Sequence, residues 1–184
     1  GTSVTGNSGA VYIGTGAATV GRGGDVLISV GSGTSGVGGT VQAHGGRSTV
    51  HTGGSVHLTS GEGTATSSGV IMIRSANAGV AGVSGALYFS SGTSKTGNSG
   101  QVHLGTGVAT GGRGGAVVVT VGSGTSGMGG NVMVGGGRST VTTGGMVHVS
   151  SGEGTVSSSG SIEIRSSNAG TAGMSGWLSF SSGT

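Results

Sequence analysis

Four carboxylates, Asp25, Glu62, Glu153 and Glu163, are the whole stock of acids in this 184-residue chain. Carboxylate catalysis needs two such groups ~5–10 Å apart across a reacting bond. Glu62 and Glu153 stand 91 residues apart at equivalent places of a tandem repeat. In a stack of repeats at strand spacing that separation is ~29 Å. Glu163 has no acidic counterpart, because Met72 stands at its place. The histidines are His44, His51, His57, His103 and His148. His44 and His51 fall in one repeat, but no third ligand is at hand, so no metal site is expected. With no Cys, thiolate metal sites, cysteine nucleophiles and disulfides are excluded. Titratable groups this few and this scattered predict that the chain is not an enzyme and holds no cofactor.

Glycine patterns need the same scrutiny. Gly31-Ser32-Gly33-Thr34-Ser35-Gly36 fits G-x-G-x-x-G, and Gly122 to Gly127 repeats it. A dinucleotide site also needs a helix opening at that point and an acid ~20 residues on. Neither is present in the pattern. Gly23-Gly24-Asp25-Val26 is similar to calcium-binding roll repeats, which need an Asp in every coil. Asp25 is the only Asp, and Ala116 is its counterpart. The cations Arg22, Arg47 and Arg74 recur as Arg113, Arg138 and Arg165, with Lys95 extra. They occupy different repeat positions without an aromatic platform, so nucleic acid is not an expected partner.

The composition explains this scarcity. Glycine supplies 49 residues, Ser 31 and Thr 23; charged residues are 6% and aromatics 3%, with no Pro. Soluble domains usually carry ~25% charge. Collagen is excluded because Gly does not fall at every third residue. Charge-driven disorder does not match 32% apolar residues at a net charge of +3. The longest apolar run, Ala116 to Val119, is far short of the ~20 residues of a membrane helix, so no membrane span is expected. The chain opens Gly1-Thr2-Ser3 without a signal peptide, which reads as a mature piece or a segment of a longer array.

Two nested periods organise the chain. Residues 1–91 superimpose on 92–182 with about two thirds of positions identical, and Gly183-Thr184 restarts the unit. Within each unit a leading glycine recurs at Gly9, Gly24, Gly39, Gly54, Gly69 and Gly85, then at Gly100, Gly115, Gly130, Gly145, Gly160 and Gly176. The step is 15 residues, with one 16-residue step per unit. Two residues after each leading glycine stands Val, Ile or Leu, from Val11 to Leu178. Four residues after it stand Ile13, Ile28, Ala43, Leu58, Ile73 and Phe89, then Leu104, Val119, Val134, Val149, Ile164 and Phe180.

Two apolar columns separated by one residue are the period of a strand with one buried face. A meander would need hairpin loops of ~10 residues, longer than usual. The pattern therefore predicts an all-β fold: a parallel β-solenoid of about twelve 15–16-residue coils without helices. It is expected to be one continuous solenoid over 1–184, built of the tandem units 1–91 and 92–182. Like residues would stack at ~4.8 Å, with glycine supplying positive φ at the corners. That register sets Arg47 beside Glu62 and Arg138 beside Glu153, ~5 Å apart at Cα.

Thr19, Thr34, Thr49 and Thr64 share one column with Thr110, Thr125, Thr140 and Thr155. Such a column resembles that of some ice-binding proteins, including insect forms with 15-residue coils. Here Gly79 and Lys95 interrupt the column, and Arg47, Glu62, Arg138 and Glu153 flank it. The alternatives are a hydroxyl ladder, O-glycan acceptors, or a surface for ice or polysaccharide. The position between the two core columns holds Tyr12, Leu27, Met72, Tyr88, Val118 and Met133, with Trp177 nearby. An exposed apolar stripe of this kind points to assembly.

Repeats of Gly-x-Val-x-Ile followed by Gly/Ser/Thr turns resemble those of large secreted β-solenoid proteins, the adhesins of bacteria and extracellular proteins of microalgae. The resemblance implies an extracellular location and a structural fibre or adhesive stalk, and it carries over no active site. The expected function is a filament built by self-association, end to end and laterally. The alternative is a surface-binding module using the Thr column.

Overall fold

Glycine and β-branched residues are poor helix formers, and here they fill every stretch long enough to nucleate a helix. In the computed structural model, residues 1–183 are described, and among them there is no helix. There is no strand either. The expected all-β fold, the parallel β-solenoid and its ladder of stacked coils are therefore corrected: the described chain is irregular coil with recurrent turns. By its internal contacts it divides into two units, Gly1–Phe89 and Ser90–Thr184.

The regularity lies in loop closure. The chain turns at 19–21, 34–36, 49–51 and 64–66 in the first unit, and at 110–112, 125–127, 140–142 and 155–157 in the second. After each turn the leading glycine of the next repeat comes back against the residue nine positions earlier. Thr15 packs on Gly24, Val30 on Gly39 and Ser60 on Gly69. In the second unit Thr106 packs on Gly115, Val121 on Gly130 and Ser151 on Gly160. The 16-residue steps close over ten positions, Ser75 on Gly85 and Ser166 on Gly176. Segments of this size with adjoining ends are Ω-type loops.

Backbone hydrogen bonds fasten several of these closures. The Gly54 N–H donates to the Gly46 carbonyl at 2.8 Å, and the Gly69 N–H to the Gly61 carbonyl at 2.9 Å. The second unit repeats both, Gly145 to Gly137 at 2.8 Å and Gly160 to Gly152 at 2.9 Å. At the tightest closures a Cβ on Gly45 would run into the Gly54 carbonyl oxygen, and one on Gly54 would meet the Gly46 nitrogen at 2.8 Å. Glycine is required here because it has no Cβ. Its other talent is little used, since positive φ is confined to Gly36 (118°) and Gly127 (87°) among the described residues. The expected glycine corners of a coil are thus corrected as well.

Closed loops shelter little. Among the described residues none is buried, and only Ser60, Gly63, Ser75, Ser139, Gly154 and Ser166 are even half-buried. The chain leaves 18604 Å² accessible to solvent. A folded monomer of 16.9 kDa would leave only about 7,700 Å². The two columns expected to form a core are solvent-facing, yet not equally. Apart from Val11 (87% exposed), the first, two residues past each leading glycine, is roughly half covered, as at Ile71 (46%) and Leu178 (51%). Residues between the columns stand out fully, as at Tyr12 (93%) and Met133 (91%).

The substitution Gly45→Ala is expected to open the 46–54 closure and remove its hydrogen bond, a loss of about 1 kcal/mol. Amide exchange at Gly54 should then be about fivefold faster at that energy. Gly85→Ala, whose new Cβ would sit at 3.5 Å from Ser75 Cβ, should leave its own loop intact. Equal exchange rates in both variants would count against glycine-dependent closure.

Candidate functional site

Hydroxyl side chains next to turns hydrogen-bond local backbone and compete with regular structure. Ser3 Oγ accepts from the Gly6 N–H at 3.0 Å, and Ser94 Oγ from the Gly97 N–H at 3.0 Å. Ser48 Oγ accepts from the His51 N–H at 2.9 Å, and Ser139 Oγ from the Thr142 N–H at 2.9 Å. Thr15 Oγ1 donates to the Gly24 carbonyl at 2.9 Å and Thr106 Oγ1 to the Gly115 carbonyl at 3.2 Å. These hydroxyls act on their own loops.

The Thr column is placed differently. Thr19, Thr34, Thr49, Thr64, Thr110, Thr125, Thr140 and Thr155 each stand as the first residue of a turn, and all eight are exposed. No hydrogen bond among the described residues joins any two of them. Without a strand ladder, nothing sets them at the repeat spacing of a flat hydroxyl face.

The chemistry-bearing residues remain apart. Among the described residues no group of three or more His, Asp or Glu is arranged to hold a metal. His44 Nε2 lies 3.1 Å from Gln42 Oε1, a pairing within one stretch of chain, and His51 takes part through its backbone N–H alone. The register expectation for Arg47 with Glu62 and Arg138 with Glu153 fails, for lack of a ladder to set them side by side. The one ion pair among the described residues is Arg165 Nε to Glu163 Oε1 at 3.1 Å, with both side chains largely in solvent. The Gly31–Gly36 motif ends in the turn 34–36, and no helix N-terminus opens there among the described residues.

Sequence reasoning missed the closing positions. Their signal is the residue nine places before each leading glycine, which is small or β-branched throughout: Thr15, Val30, Gly45, Ser60, Ser91, Thr106, Val121, Gly136 and Ser151. What the described residues expose is therefore a set of apolar columns that alternate along the chain with closed loops whose turns begin at a threonine. No helix among the described residues is long and apolar enough to cross a membrane. Comparison with protein-family models, with curated proteins and with solved structures found no match.

Replacing Thr15 by Ala removes the side-chain donor to Gly24, whereas Ser at that place keeps it. The Ala variant is expected to lose about 0.5–1.5 kcal/mol of closure, read as weaker cross-loop NOEs between residues 15 and 24. The Ser variant should retain most of them, and identical losses in both would assign the closure to the methyl packing.

Proposed function

We propose that this chain is a structural repeat protein whose copies associate into an extracellular fibre, each covering the apolar columns of others. The observation that carries the reading is that every Val, Leu, Ile, Met, Phe, Tyr and Trp lies exposed, with no buried core among the described residues to hold the isolated chain. Ordering a backbone costs about 1–2 kcal/mol per residue. Closed loops with single hydrogen bonds offset little of that, so a further source of burial is needed. A second copy supplies it with matched geometry, because the same columns recur in both units at the same spacing. Low charge density, 6% charged residues at a net +3, sets little repulsion against close approach of copies. The likeness of the repeats to those of secreted fibre and adhesin proteins supports the extracellular setting.

Static light scattering over a concentration series tests this. Mass per particle should rise with concentration, and electron microscopy of the associated fraction should show filaments. The quadruple variant Ile13→Ser, Ile28→Ser, Leu58→Ser, Ile73→Ser forfeits roughly 1.5–3 kcal/mol per side chain if these are covered on assembly. Its threshold concentration should therefore rise by at least about tenfold. A chain that stays monomeric up to its solubility limit, with the variant indistinguishable from it, overturns the reading.

A second reading concerns the eight column threonines, favoured by their exposure at turn tips. These hydroxyls are accessible O-glycan acceptors, and a glycan coat would keep laterally associated copies hydrated. Intact mass measurement of the native material should show sugar increments that localise to Thr19, Thr34 and their equivalents; an unmodified mass would remove the reading.

A further inference from the structure

One feature of the surface is built twice, and neither the apolar columns nor the threonines use it. Arg74, Ser75, Ala76 and Asn77 line a hollow of about 240 Å³. Arg165, Ser166, Ser167 and Asn168 line another of about 240 Å³. The two sets are equivalent residues 91 positions apart. Each hollow lies near the middle of the longer, 16-residue step, where its closing loop begins. Its serine is half-buried and is the closing residue of the loop, Ser75 on Gly85 and Ser166 on Gly176. Beyond it the chain turns back with the Gly82 N–H on the Gly79 carbonyl, and Gly173 on Gly170, each at 3.4 Å. Loop closure thus fixes the base of the hollow.

The lining is a set of donors. A guanidinium presents a planar fork that matches an oxyanion, and a serine hydroxyl and an asparagine amide add neutral donors beside it. Sites for whole small molecules usually measure ~300–1,000 Å³, so these hollows suit one charged group.

The two hollows differ in their charge. In the second unit Glu163 Oε1 lies 3.1 Å from Arg165 Nε, a carboxylate already on the guanidinium. In the first unit Met72 replaces that carboxylate. From Gly63 through Gly85 there is no acidic residue.

We propose that Arg74, Ser75 and Asn77 form a binding site for an oxyanion group of the sulfate type, free or as an ester on a polysaccharide. The equivalent site at Arg165 is held in a weaker state by its own Glu163. Arg165 and Glu163 show the interaction within the chain, and Arg74 offers the same guanidinium to an outside partner.

The test is an NMR titration of the isotope-labelled chain, following arginine Nε–Hε signals and backbone amides. Sodium sulfate is added at constant ionic strength, with sodium chloride as the reference. Saturable shifts are expected at Arg74 Nε, Ser75 and Asn77. Arg165 should respond more weakly, and Arg22, Arg47, Arg113 and Arg138 should show only the response seen with chloride. Arg74→Gln should abolish the saturable shifts at Ser75 and Asn77. Met72→Glu should weaken binding by about two- to fivefold, the range of an exposed ion pair, and Glu163→Met should strengthen the Arg165 site by the same factor.

Equal responses from all six arginines, or no saturable shift at Arg74, overturn the proposal. A parallel arm uses dextran sulfate against unsulfated dextran. Saturation by free sulfate assigns the ion itself, and saturation by dextran sulfate alone assigns the ester on a polymer; both sustain the site. A response to unsulfated dextran equal to that of the sulfated polymer would overturn the oxyanion assignment.

Discussion

The return of the leading glycines onto the residue nine positions before, or ten at Gly85 and Gly176, is the constraint on which the rest of this structure hangs. A Cβ on Gly39 would run into the Val30 side chain, and one on Gly130 would meet Val121 Cγ1 at 2.7 Å. At these closures the glycine needs no unusual backbone angle, only the absence of a side chain, whereas Gly69 and Gly85 leave room for a Cβ at 3.4 and 3.5 Å. Everything between the closing pair becomes a loop with its tip in solvent. The residues after the glycine, which carry the two apolar columns, stay exposed. Hydroxyls at Thr15 and Thr106 and the backbone bonds at Gly54 and Gly145 hold the closures.

Closure and burial are separate matters in this chain. A loop of nine residues can bring its ends together at modest entropic cost, but it encloses no volume in which a valine can lose its water. The first column gains partial cover two residues beyond the closing glycine, Val11 apart. The second column gains less on the whole, from Ile73 at 52% exposed to Phe180 at 80%, and the residues between the columns mostly less still. The apolar columns therefore recur at regular intervals of sequence with little cover, which is what the proposed assembly of copies would supply.

The sequence made the periods, the leading glycines and the two columns legible, because each is a pattern of residue types at fixed intervals. Alternation at Val26 and Ile28, or at Ile71 and Ile73, says that one face of the segment is apolar. It does not say what covers that face. Reading a covering ladder from it supplied the stacked coils, and with them the pairing of Arg47 with Glu62, which the structure lacks. The glycines were misread for a related reason. Positive φ and a missing Cβ both select glycine, and only the backbone geometry separates them: Gly36 and Gly127 use the first property, whereas Gly45 and Gly136 use the second. The hollows at Arg74 and Arg165 were legible only as repeated cations, since their shape depends on Ser75 and Ser166 closing over ten positions.

The chain also carries its own comparison, because its two units are one motif written twice with differences. The closing residues Thr15, Val30, Gly45, Ser60 and Ser75 are the same in the second unit, at Thr106, Val121, Gly136, Ser151 and Ser166. So is the whole first column, Val11, Val26, Val41, Val56, Ile71 and Leu87 against Val102, Val117, Val132, Val147, Ile162 and Leu178. The position between the columns changes freely: Tyr12 becomes His103, Gln42 becomes Met133, Met72 becomes Glu163 and Tyr88 becomes Ser179. Identity thus follows the closures and the half-covered column, while variation falls on the more exposed second column and on the position between the columns, where His57 and His148 alone are identical. Loop closure restricts the first set sterically, and the proposed association would need the column to be apolar at every repeat. The third set faces neither demand, which is why a methionine in one unit and a glutamate in the other can alter the charge beside an arginine without disturbing the loop that holds it.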